Sequence, residues 1–156
     1  MKYTRLTKEQ FEELNQEFIN FLANQSITAD EWKKIKEQKP EVAEEELDIF
    51  SDLVWEGVLS KVEYLENIAP QHMYLFKVER SQLRLIGLKI KKDDIDLTTK
   101  EGFGWLRENL MSDEVELFNA DKTLEADKNA KLFELIVQGS SITKGELFKY
   151  LDDLIG

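Results

Sequence analysis

His72 is the one side chain in this sequence whose ordinary pKa lies close to neutrality, so acid or base chemistry at physiological pH would start from it. It stands two residues after Pro70 and opens an alternating segment that puts Tyr74 and Phe76 on its own face, an environment that more often holds a partly buried structural histidine. No Gly-x-Ser-x-Gly elbow nominates a serine to work with it. The absence of Cys removes thiolate nucleophiles, disulfides, Fe–S clusters and Cys-based zinc sites, leaving oxygen and one imidazole as metal ligands. Paired carboxylates stay open to acid–base catalysis, because that chemistry asks only for two Asp or Glu at the correct separation, but 32 acidic residues select no pair. Phosphate-binding glycine motifs are missing as well, and Gly102-Phe103-Gly104 is expected to allow close packing beside Trp105. No catalytic residue, metal site or cofactor is therefore assigned. The enzyme reading survives as an alternative, a carboxylate- and His72-dependent hydrolase or metal-dependent enzyme.

The repeat Ser-Ile-Thr-x-x-Glu, at Ser26 to Glu31 and again at Ser141 to Glu146, matches the end of an EF-hand loop. The upstream positions that must offer oxygen are Asn20, Leu22 and Asn24 in one copy and Leu135, Val137 and Gly139 in the other, and neither copy has the required glycine. Both copies are instead expected to start helices. Five carboxylates lie between Glu41 and Asp48, just behind Pro40. Glu41, Glu44, Glu45 and Asp48 share one helical face, which would offer an acidic surface to a basic partner or a weak divalent-ion site. Carboxylates at a helix start are also favoured by the helix dipole, at about 0.3–1 kcal/mol each. Asp93-Asp94-Ile95-Asp96 is a second acidic cluster, in a loop.

The net charge of −11 is unevenly spread. Residues 1–61 carry 8 basic and 14 acidic groups, residues 62–92 carry 6 and 3, and residues 93–156 carry 7 and 15. Lys77, Arg80, Arg84, Lys89, Lys91 and Lys92 thus form a basic island, a candidate anion-binding edge with Tyr74 and Phe76 for stacking. The overall charge opposes a phosphate backbone, and lysines near strand ends also guard sheet edges. Nucleic-acid association is kept as a further alternative. The leading expectation is a non-enzymatic protein–protein interaction or accessory subunit whose acidic helical faces meet a basic or composite protein surface. Three Trp, four Tyr and nine Phe supply anchors. Trp55 is the preferred one, although its position suits core packing as well.

These residues need elements to hold them. Leu6-Thr7-Lys8-Glu9-Gln10-Phe11, Ile27-Thr28-Ala29-Asp30-Glu31-Trp32 and Ile142-Thr143-Lys144-Gly145-Glu146-Leu147 share the pattern of a capping box and staple, and Leu97-Thr98-Thr99-Lys100-Glu101 is a weaker fourth. The spacing of apolar residues predicts a helix over about 7–24, a short one from Thr28, and a third from Pro40 with the stripe Leu47, Phe50, Val54 and Val58. An antiparallel hairpin over about 72–91 turns at Arg80-Ser81 and is expected to be covered on both faces near Leu83 to Leu88, and Val62 to Ile68 reads as a further strand or as the tail of the third helix. Beyond it come a helix after Thr98, a short strand Val115 to Phe118, a turn at Asp121-Lys122, a helix Leu124 to Gln138 and a last helix from Thr143. The fold class is α+β: N-terminal helices, a small central antiparallel sheet of the hairpin plus one or two strands, and C-terminal helices. One domain spanning 1–156 is expected, with a possible helical subdomain over 1–60.

The run from Ile27 to Trp32 through Leu53-Val54-Trp55-Glu56-Gly57-Val58-Leu59, then Val62-Glu63-Tyr64-Leu65-Glu66-Asn67 and Pro70-Gln71-His72-Met73, resembles a family of small acidic bacterial proteins of unknown function. The resemblance covers about residues 3–100 and fades toward the C-terminus. It implies a bacterial cytoplasmic protein and carries over no activity, cofactor or residue role. The first residues, with no apolar run behind their charges, and the lack of any stretch of 18 apolar residues point the same way, to a cytoplasmic protein with no membrane span.

Overall fold

Thr7 starts the first helix as its spacing predicts: its hydroxyl accepts from Gln10 N–H at 3.2 Å while the Gln10 side chain accepts from Thr7 N–H at 2.8 Å. The structure, a computed structural model, describes residues 1–156. Helices α1 (Lys8–Glu13) and α2 (Asn15–Ala23) replace the single helix expected over 7–24, with a break at Leu14, where φ is −102° and ψ is 23°. Leu14 N–H still reaches Gln10 C=O and Phe18 N–H reaches Leu14 C=O, so the apolar stripe continues across the break. Helix α3 (Ala29–Gln38) is capped by Thr28, and α4 (Pro40–Leu59) opens on Pro40, whose missing N–H costs nothing at that position. Phe50 on α4 is buried and gathers Phe11, Phe18 and Phe21 with ring centroids 5.1–5.9 Å away. Trp32 of α3 meets Phe18 edge-on at 5.4 Å. Such stacked, tilted and T-shaped pairs stabilise beyond the area they bury.

The chain divides into two compact units, Met1–Ser60 and Lys61–Gly156. The second contains a five-stranded antiparallel sheet in the order β4-β3-β2-β1-β5, built from β1 (Tyr64–Ala69), β2 (His72–Val78), β3 (Gln82–Ile90), β4 (Val115–Thr123) and β5 (Ser141–Thr143). Three further helices belong to it: α5 (Lys100–Asn109), α6 (Lys128–Val137) and α7 (Glu146–Ile155). Because side chains alternate along a strand, the register assigns one face to Tyr64, Glu66 and Ile68, to Met73, Leu75 and Lys77, and to Arg84, Ile86, Leu88 and Ile90. That face forms the core with Leu106 and Leu110 of α5 and its C-cap and with Phe148 and Leu151 of α7. The other face carries His72, Tyr74 and Phe76 beside Lys89, Gly87 and Leu85. Leu65, Phe76 and Leu83 are buried there too, so the central sheet is covered on both sides as expected. Gly139, just past α6, lies against the Asn67 side chain on this face.

The α+β class and the hairpin stand, but the sheet has one strand more than expected. Strand β4 runs on to Thr123, straight through the turn expected at Asp121-Lys122, because β3 is long enough to pair with all nine of its residues. Residues 124–127 are consequently a connection, and α6 starts at Lys128 with Asp127 as its cap. The second Ser-Ile-Thr-x-x-Glu copy forms β5, paired with Tyr64–Glu66, and α7 starts after Gly145, which takes φ 81°. Helix α5 is capped by Thr99, one residue later than the weak box suggested. The two glycines of Gly102-Phe103-Gly104 differ: a Cβ on Gly102 would come within 1.7 Å of the Asp96 carbonyl, whereas one on Gly104 would meet nothing within 4 Å. The close approach is to Asp96, not Trp105. In urea unfolding, Gly104→Ala is expected to raise stability by about 0.5–1 kcal/mol through helix propensity, and Gly102→Ala to lower it by roughly 1–3 kcal/mol through overpacking.

Candidate functional site

Helix α4 spends part of its acidic face on the chain's own N-terminal segment. Glu44, Asp48, Asp52 and Glu56 recur every four residues, which stacks them along one side of the helix. Arg5 pairs with Glu44 and, at 2.7 Å, with Asp48, and these two carboxylates hold its guanidinium above its usual pKa. Asp52 accepts from the backbone N–H of Lys2 at 2.7 Å and of Tyr3 at 3.0 Å. Glu56 takes the Lys2 ammonium and the Tyr3 hydroxyl, and burial together with that carboxylate pushes the Tyr3 phenol up. Buried Ser51 accepts from Leu6 N–H at 3.0 Å and donates to Leu47 C=O at 2.8 Å. Of the four carboxylates expected to face a partner, Glu44 and Asp48 are thus engaged internally, and Glu41 and Glu45 remain exposed. Trp55, the preferred anchor, is half-buried with its ring 6.5 Å from that of Tyr3.

An apolar stripe runs along the exposed side of α4. Val42, Ile49 and Leu53 are 37%, 45% and 56% exposed and lie within about 40° of one another around the helix. Glu45 and Glu41 are exposed and lie about 60° and 100° to one side of Val42 around the helix. Beside Leu53 runs a groove of about 350 Å³ lined by Glu17, Asn20, Phe21, Asn24, Phe50 and Val54.

The sheet separates the basic island. Lys77 and Arg84 lie on the core face, directly opposite each other across β2 and β3, whereas Lys89 points from the other face. Arg80 sits in the turn at one end of the hairpin, and Lys91 and Lys92 follow β3 at the far end. The nine residues of β3 separate those ends by roughly 30 Å. Arg84 bonds to Asp152 at 3.0 Å and faces Asp121 at 3.8 Å, and the hydrogen bond to Asp152 is the main cause of its raised pKa. Lys92 lies 6.0 Å over the Trp105 ring. No single anion-binding edge collects all six. His72 is half-buried, 4.8 Å from the Tyr74 ring, with Ala69 and Lys89 as its cross-strand neighbours. The Asp93–Asp96 loop is a turn: Asp96 accepts from the N–H and hydroxyl of Thr98, and these bonds lower its pKa.

One chemically unusual carboxylate has no motif around it in the sequence. Glu66 of β1 lies on the core face between Leu75 and Ser141, beside a pocket of about 400 Å³ lined with Thr143, Lys144, Glu146 and Leu147. Burial raises its pKa, and the nearby Glu146 carboxylate adds to the rise. The signal in the sequence is parity, since Glu66 shares the face of Tyr64 and Ile68. His72 lies on the opposite face of the sheet, so the two groups do not converge. No group of three or more His, Asp or Glu side chains is arranged to hold a metal ion. No helix is long and apolar enough to cross a membrane.

The model of one family, described as a family of unknown function (DUF6495), matches residues 1–156. The chain belongs to that family. No curated protein and no solved structure matches it. The DUF6495 match extends the resemblance seen over about residues 3–100 to the whole chain, β4 and the C-terminal helices included.

In this DUF6495 protein Glu66 provides a direct test of the site's electrostatics. A carboxylate whose folded pKa is raised contributes stability when protonated and loses it as pH rises from its ordinary value, near 4.5, through the folded one. Glu66→Gln is therefore expected to be more stable than wild type at pH 7, with the difference shrinking as pH falls toward 4.5. Thermal melts across pH measure this, and a difference independent of pH would contradict it.

Proposed function

We propose that this protein is a non-enzymatic interaction partner or accessory subunit, and that the outer face of α4 is the surface it offers. The observation that carries the reading is the exposed stripe of Val42, Ile49 and Leu53 with Glu41 and Glu45 beside it. Exposed apolar side chains grouped together and rimmed by charge suit a protein contact. The carboxylates select a partner that is basic and amphipathic, for which the groove beside Leu53 offers room for an apolar side chain. A bacterial, cytoplasmic setting, implied by the resemblance, belongs to the same proposal. The hydrolase alternative gains support only from Glu66 and its pocket, without His72. The nucleic-acid alternative is weakened by the division of the basic residues between two sheet faces and two hairpin ends.

A synthetic amphipathic helix of Lys and Leu is a suitable probe. Titrated against the full chain and followed by amide chemical shifts, it is expected to perturb residues around Ile49 and Leu53. Leu53→Glu should weaken binding roughly tenfold, the loss typical of a buried anchor. Shifts spread over all acidic surfaces and insensitive to Leu53→Glu would reject the reading.

A further inference from the structure

Strand β4 ends the sheet on the side away from β5, and its outer edge has no neighbouring strand. The direction of its backbone groups follows from two hydrogen bonds that bracket the β3–β4 ladder. Lys91 N–H donates to Glu114 C=O at 2.8 Å, and Leu124 N–H donates to Ser81 C=O at 2.8 Å. Both fit the register that sets Gly87 against Phe118. Hydrogen-bonded pairs alternate with non-bonded ones in an antiparallel ladder. Glu116, Phe118, Ala120 and Lys122 therefore turn their backbone groups toward β3, and Leu117, Asn119, Asp121 and Thr123 turn theirs to the open edge. Residues 119–123 are exposed, and the strand contains no Pro or Gly to blunt the edge.

We infer that two copies of this chain pair through the outer edges of β4, antiparallel about a two-fold axis at Asn119. With Asn119 opposite its own copy, Leu117 meets Asp121 and Val115 meets Thr123 in hydrogen-bonded pairs, and the strand is matched over its whole length. The same register sets Glu116 opposite Lys122 twice, in the non-hydrogen-bonded pairs where side chains come closest. It also sets Phe118 opposite Ala120, large against small, on the face where Phe118 lies over Gly87. A shift of two residues separates Glu116 from Lys122 and leaves one end of the strand unpaired. Asp121, which would face Leu117, already has Arg84 at 3.8 Å. The opposite edge of the sheet is the three-residue β5, too short to propagate pairing, so the assembly closes as a dimer. This pairing does not rest on the α4 reading, because the two surfaces belong to different units.

Sedimentation velocity on the full chain over a concentration series is expected to show a reversible monomer–dimer equilibrium. Lys122→Glu, opposite Leu83 within its own sheet, puts like charges opposite each other twice and should weaken the dimer roughly tenfold. Adding Glu116→Lys to it should restore the affinity. Asn119→Pro removes an N–H that β3 does not use and should abolish the dimer while leaving far-UV circular dichroism unchanged. A monomer at every soluble concentration overturns the inference, as does a dimer indifferent to Lys122→Glu or a double variant no tighter than the single one. A dimer lost in Leu53→Glu but kept in Lys122→Glu places the contact on α4 and overturns it too. Where Asn119→Pro does not fold, the two charge variants decide.

Discussion

Strand β3 has a neighbour on each side, so its backbone groups are committed to the ladders and its side chains must divide between two faces. That division governs the second unit. Ile86 and Leu88, at 1% and 0% exposure, lock one face onto α5 and α7, and the register then carries the same parity outward to every other strand. A slip of one residue would exchange the faces and send the core residues to the other side. Parity is also why Glu66 is held on the apolar face with Tyr64 and Ile68, where burial works against its charge. At β4 it decides which backbone groups remain unused.

The first unit is organised differently, by charge laid along a helix. Individual exposed ion pairs contribute only about 0–1 kcal/mol, but the ladder from Glu44 to Glu56 acts on backbone N–H groups as well as on side chains. It holds residues 2–6 along α4 while buried Ser51 satisfies Leu6 between the ion pairs. Some of the chain's net negative charge is therefore structural. With that side of α4 occupied, the exposed stripe of Val42, Ile49 and Leu53 becomes the feature that asks for an explanation, and it is apolar.

Much of the fold was legible in the residues. The box at Thr7, the cap at Thr28, Pro40 at the first position of α4 and the alternation of β2 are local features whose physics involves residues only a few positions apart. Candidate sites were legible only as composition. Glu44 and Asp48 looked like Glu41 and Glu45 until Arg5, some forty residues away in sequence, took two of them. The six basic residues looked like one patch because adjacency along a hairpin does not reveal the two faces or the two ends.

The clearest contrast lies in the repeated Ser-Ile-Thr-x-x-Glu. Its first copy caps α3 through the Thr28 hydroxyl and Glu31 N–H at 3.2 Å, and local hydrogen bonding suffices for that. In the second copy Thr143 accepts instead from Gly145 N–H at 3.1 Å, and Ser141–Thr143 pairs with Tyr64–Glu66 from far upstream. Gly145 turns to positive φ beneath the Tyr64 ring, where any Cβ would come within 2.4 Å. Local sequence determined where helices can begin, because a cap competes only with neighbouring residues. Strand partners, faces and free edges were decided by tertiary pairing, because a ladder's register is set by residues that the chain brings together only when it folds.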